Sequence, residues 1–142
     1  MRWNPAEAII IEVGPSQVTF FDPDGVPVVL PPVMYVAPDP DRIKVLGVGT
    51  PPSGQSALRI EVFGPNRPPP GFSKLDCLAA FLNHGLKTIV DRSLFRVKPD
   101  VEVRGSDSLS GVFGGYERDV FTSALERAGA KRVRWPEDGQ PT

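Results

Sequence analysis

The stretch Ile9-Ile10-Ile11-Glu12-Val13-Gly14-Pro15-Ser16-Gln17-Val18-Thr19-Phe20-Phe21 leaves this chain few ways to fold. Ala8 to Val13 is an apolar run of strand length, Val18 to Phe21 is β-branched and aromatic, and a glycine–proline pair divides them. The pattern predicts a strand, a tight turn at Gly14 and a returning antiparallel strand. A second turn follows at Asp22-Pro23-Asp24-Gly25, where proline presets φ and glycine permits the positive φ that closes many hairpins. A third strand is expected within Val26 to Val36, bent or placed at a sheet edge by Pro31-Pro32. Ile43 to Val48 and Leu58 to Phe63 read as two further short strands, with a loop from Thr50 to Ser56 between them.

Beyond Gly64 to Gly71, an irregular connector with four prolines, the hydrophobic period changes. Leu75, Leu78, Ala79, Leu82, Leu86 and Ile89 fall at helical spacing. Ser73 is the expected N-cap, with Asp76 as a short version of the capping-box partner. Gly85 weakens this helix by about 1 kcal/mol relative to alanine, so its last turn is expected to fray. Val97, Val101 and Val103 alternate with polar residues and predict a strand, and Gly105 to Gly115 reads as a loop. A second helix is expected from about Gly115 to Ala128, with Tyr116, Val120, Phe121, Ala124, Leu125 and Ala128 on its apolar side. Gly129 should end it in the left-handed conformation. Val133 and Trp135 alternate with arginines in a last strand.

Composition narrows the function classes. A formal net charge of −1 gives no electrostatic reason to expect a nucleic-acid partner. One cysteine, Cys77, excludes an internal disulfide framework and suits a reducing compartment. No apolar run approaches the length of a spanning helix. Met1-Arg2-Trp3-Asn4-Pro5 does not read as a signal peptide, so cytoplasmic residence is the default expectation.

The skeleton is three antiparallel strands followed by two helical crossovers, βββ(ββ)αβαβ. The expected fold class is α/β, two helices packed on a five-stranded mixed sheet, which is the layout of a ribonuclease-H-like half-domain. Local wording goes further. Glu12-Val13-Gly14-Pro15-Ser16-Gln17-Val18 stands in the frame of the phosphate loop of MreB, the bacterial actin homologue. Val28-Val29-Leu30 with Pro32 to Val36, Lys44-Val45-Leu46-Gly47-Val48-Gly49 and the helix around Leu75 to Phe81 are similar to successive MreB segments. So are Lys98-Pro99-Asp100-Val101, Glu117-Arg118 and Ala128-Gly129-Ala130-Lys131. Their shared order resembles the first subdomain of MreB over nearly the whole chain. The resemblance implies one actin-like subdomain over residues 1–135, with 136–142 as a mobile tail.

It also implies a relict nucleotide site at Glu12, Gly14, Pro15, Ser16 and Gln17. A phosphate is held by successive backbone N–H groups and a hydroxyl. Pro15 supplies neither, and Ser16 offers its hydroxyl one residue late. Glu12 replaces the family's magnesium-side aspartate, with its oxygens displaced by about a bond length, and magnesium tolerates misplacement poorly. The family's second phosphate loop and adenine region have no counterpart here. The expectation is therefore impaired or absent ATP binding, with no cofactor unless ATP and magnesium are retained.

Other residues have bland readings. Glu117 coincides with a conspicuous family position, yet a glutamate at a helix start also suits the helix dipole. Glu137 and Asp138 read as solvated charges. His84 lacks a ligand set, and Cys77 lacks a histidine to activate it, so neither a metal site nor a catalytic residue is assigned. The aspartates at 22, 24, 39 and 41 match no calcium loop, and Ser106, Ser108 and Ser110 form no nucleophile elbow.

Three functions compete. The first is an MreB-like scaffold reduced to one subdomain, in cell-shape or filament-related contacts with a protein partner or itself, or half of a split ATP-binding MreB. The second is a metal-dependent nuclease, which needs three or four converging carboxylates; the sequence offers Glu12 and at best Glu102, an incomplete set. The third is an adaptor of another actin-like lineage, serving pilus or secretion assembly.

Overall fold

The computed structural model describes residues 8–39, 41–64, 72–92, 99–105 and 116–135. The connector at 65–71, most of the loop at 105–115, Val97, Lys98, Glu137, Asp138 and the tail at 136–142 lie outside them.

Alternation sets the first strand, β1 (Ile9–Val13): Ile9, Ile11 and Val13 are buried while Glu12 is exposed. It runs antiparallel to β2 (Val18–Phe21), and β2 runs antiparallel to β3 (Pro27–Leu30). The β2–β3 turn uses its residues as the sequence predicts. Gly25 has φ +83°, its N–H reaches the Asp22 carbonyl at 2.8 Å, and Asp22 Oδ1 accepts from the N–H groups of Asp24 and Val26.

The expected third strand is two strands. Pro31-Pro32 does more than bend it. β4 (Val33–Val36) leaves the first sheet and forms a second one with β5 (Val45–Val48) and β6 (Leu58–Glu61), ordered β5-β4-β6. Neither proline has an N–H to give a ladder, so pairing with β2 stops at Leu30. The insert before the first helix therefore holds three strands rather than one or two.

Helix α1 spans Lys74–Arg92. Its start is the reciprocal box expected: Ser73 N–H donates to Asp76 Oδ2 at 2.8 Å, and Asp76 N–H to Ser73 Oγ at 3.1 Å. The helix does not stop at Gly85. That residue lies against the Phe20 ring, which an added Cβ would overlap, so the glycine serves packing. Leu78, Phe81, Leu82, Leu86 and Ile89 are buried, and the Phe81 and Phe20 rings lie 6.4 Å apart.

The chain returns through β7 (Asp100–Arg104), parallel to β1. Helix α2 (Glu117–Arg127) follows, then β8 (Arg132–Arg134), parallel to β7. Tyr116 is not on the apolar side, being 67% exposed just ahead of α2. Gly129 has φ +109°, with Ala130 N–H to Leu125 O at 2.9 Å and Gly129 N–H to Glu126 O at 3.2 Å. This pair of bonds is the Schellman ending that the glycine predicts. Trp135 falls just past the last strand, buried, with Arg118 over its ring at 5.3 Å.

The larger sheet is thus β3-β2-β1-β7-β8, mixed and five-stranded. Helices α1 and α2 pack on each other and on the sheet. One core unites Ile11, Phe20, Val103 and Phe121 with Met34, Val36, Ile60 and Val62 of the insert. Burying each such side chain contributes about 1.5–3 kcal/mol.

Candidate functional site

The hairpin of β1 and β2 carries the residues of the sequence-predicted site. Glu12 pairs in register with Thr19 on one side and Arg104 on the other, and points away from the Ile11 and Val13 side chains. Its carboxylate is exposed and has no hydrogen-bond partner among the described residues. Arg104 is turned instead to Glu102, Nε donating to Oε2 at 2.7 Å.

Gly14, Pro15, Ser16 and Gln17 form the turn, but its geometry differs from a bend at glycine. Gly14 has no positive φ. Its N–H donates to the Gln17 carbonyl at 2.9 Å, which puts the corner at Pro15-Ser16. A Cβ on Gly14 would meet Gln17 O at 3.3 Å, so the tight closure is what favours a glycine. The consequence is chemical. Gly14 N–H is committed within the turn and Pro15 has no N–H. Two of the four backbone positions cannot donate to an anion. Ser16 remains exposed at the tip with its hydroxyl.

Pro15 and Ser16 form one wall of a cleft of about 290 Å³, closed on the other side by Pro31, Pro32, Val33, Glu61, Phe63 and Gly64. Nothing in their sequence spacing joins these segments. They meet because Pro31-Pro32 carries the chain from one sheet to the other beside the hairpin tip. Glu61 is the one charged residue of the lining. It accepts from Arg59 Nη1 at 2.8 Å, so the cleft presents an acid and carbon surface. This is a poor environment for phosphate, which needs donors or cations.

Behind the cleft, Phe63 packs on Phe121 with ring centroids 6.2 Å apart. One turn before Phe121 stands Glu117, at the start of α2 and only 8% exposed. Its Oε2 is buried without a hydrogen-bond partner. The helix-start reading explains its favourable position relative to the dipole. It does not explain burial, which normally costs about 1–3 kcal/mol for an unsatisfied polar group. No sequence signal distinguishes a buried Glu117 from a solvated one.

Cys77 is buried, and burial, followed by the charge of Asp76, pushes its thiol up to about 11. This opposes thiolate chemistry. His84 is half-buried on α1, and desolvation lowers its pKa. Glu102 and Glu12 share one sheet face on neighbouring strands. Glu102, however, is held by Arg104 at 2.7 Å and Arg134 at 3.8 Å. Among the described residues, no group of three or more His, Cys, Asp or Glu side chains is placed to hold a metal ion.

A larger depression of about 530 Å³ lies elsewhere, between the segment at 41–43 and the helices, and includes Asp76, Ala79, Asn83 and Arg127. Three of its charged side chains, Arg42, Asp76 and Arg127, are engaged. Asp76 Oδ1 accepts from Arg127 Nη2 at 2.8 Å, and Arg42 lies 3.7 Å from Asp39. Ser73 first and Arg127 second hold the Asp76 carboxyl below its ordinary pKa. The depression is a joint between helix ends.

No protein-family model matches the chain, and no curated protein matches it. No helix among the described residues is long and apolar enough to cross a membrane.

Proposed function

We propose that this chain is an actin-type half-domain of the MreB kind, a cytoskeletal scaffold that acts through protein contacts in cell-shape or filament-related assembly. The observation that carries this reading is the topology. The strand order β3-β2-β1-β7-β8 joins two antiparallel neighbours of β1 to two parallel returns, and a small sheet is inserted between β3 and α1. That order supports the ribonuclease-H-like layout expected from the resemblance, in which the Gly14–Gln17 turn lies at the end of the central strand.

In this reading, ATP binding by the chain itself is impaired. Gly14 N–H is spent inside the turn, Pro15 has none, and the adjacent cleft is apolar with an acid. Calorimetric titration with magnesium and ATP should give no measurable heat of binding, whereas a micromolar affinity would overturn the loss of nucleotide binding. Co-sedimentation with MreB filaments tests the scaffold role: the chain is expected in the filament pellet. Cofractionation with a pilus or secretion complex instead would move it to the adaptor lineage.

One observation favours a second reading, half of a divided ATP-binding protein. Oε2 of Glu117 is buried and unsatisfied within the chain, a cost that a donor supplied with a second lobe would relieve once the atoms covering it shift. A second lobe that restores ATP hydrolysis when mixed with this chain, and fails to do so with Glu117→Gln, would establish it.

A further inference from the structure

Strand β3 is the last strand of its sheet among the described residues, and such an edge ordinarily invites another strand. It is also apolar on the surface: Val29 is 53% exposed and Val26, just before it, 46%. The direction of its main-chain groups follows from the ladder. Asp22 N–H donates to Val26 O at 3.1 Å. In an antiparallel ladder, bonded and non-bonded pairs alternate. With Val18 opposite Leu30 and Phe20 opposite Val28, those two pairs are the bonded ones. The main-chain groups of Pro27 and Val29 therefore point outward, away from β2.

The outward positions are where a new strand would bond. Pro27 has no N–H. Val29 has one. Pro31, where the chain leaves the strand, has none, and its carbonyl already accepts from Val33 N–H at 2.7 Å. From Pro27 to Pro31 the edge offers a single outward donor, at Val29.

We infer that Pro27 and Pro31 close the β3 edge to strand addition, so that any association across this side of the sheet is made by side chains and not by a shared ladder. The inference does not depend on the family reading. It concerns how a partner, or a second copy, can bind. Without the prolines, an exposed valine-rich edge is the ordinary template for edge-to-edge pairing; with them, the carbonyls of an incoming strand find a donor only at Val29.

Two variants of the full chain, Pro27→Thr and Pro27→Thr/Pro31→Thr, test this. Each restores an outward N–H. Circular dichroism on heating reports folding, light scattering reports mass, and thioflavin fluorescence reports shared β-structure. The double variant is expected to raise the apparent mass about twofold or more, with a thioflavin signal absent from the wild type. A folded double variant with the wild-type mass and no thioflavin signal overturns the inference. Should the variants fail to fold, hydrogen exchange of the wild-type Val29 amide decides. Fast exchange at every protein concentration agrees with a closed edge, and protection that grows with concentration overturns it.

Discussion

The two faces of the five-stranded sheet are built from the same strands by opposite means. On one face Ile9, Ile11, Phe20, Val101 and Val103 have no exposed surface and belong to one core with residues of α1 and α2. On the other, Glu12 and Val29 are exposed, and Asp100 and Glu102 are tied to arginines, with Arg132 Nη2 to Asp100 Oδ2 at 2.6 Å. The first face is specified by shape. Its side chains interlock closely enough that Gly85 has no room for a methyl group. The second is held by charge pairs near solvent, which contribute little each and tolerate exchange. The difference teaches where change is affordable: alternate residues of one strand answer to different physics.

The sharpest way to break this contrast is a cycle at Phe20 and Gly85. Phe20→Ala should lower stability by about 3–5 kcal/mol in urea unfolding. Gly85→Ala should cost about 1–3 kcal/mol despite alanine's better helix propensity. In the Phe20→Ala background that cost should vanish or reverse. An equal cost in both backgrounds would mean the ring is not what demands the glycine.

A smaller effect is expected at the helix joint. Asp76→Ala removes the acceptor of the Ser73 N–H and the Arg127 pair, leaves the Ser73 cap itself, and should cost about 1 kcal/mol near neutral pH. Because the folded carboxyl is held below its ordinary value of 3.8, its contribution is present above that pH. It is lost as pH falls through the lower folded value. Stability curves of wild type and variant should therefore converge in acid, and curves that stay parallel would remove Asp76 from the account. The smallest effect belongs to the open face. Glu12→Gln should change the unfolding free energy by no more than about 0.5 kcal/mol, and a loss of several times that would show that Glu12 is not a bystander.

Local features of this fold were legible because their causes are local. The Ser73–Asp76 box, the Asp22 to Gly25 turn and the Gly129 ending each depend on residues a few positions apart. Other features depend on partners far along the chain. Pro31-Pro32 could be read as a bend, but which sheet β4 joins is decided by β5 and β6. Gly85 looked like a weak point until Phe20 was placed beside it. The turn corner moved to Pro15-Ser16 because Gly14 bonds across to Gln17. Of the candidate site, the hairpin residues were legible. The opposite wall of the cleft and the burial of Glu117 were not, since neither leaves a mark in spacing or composition.

The insert shares its interior with the main sheet, for Met34, Val36, Ile60 and Val62 belong to the same apolar cluster as Phe20 and Leu78. An appendage of this kind is no detachable module. Melting it would leave α1 wet along one flank, so both sheets should be gained and lost in a single cooperative step.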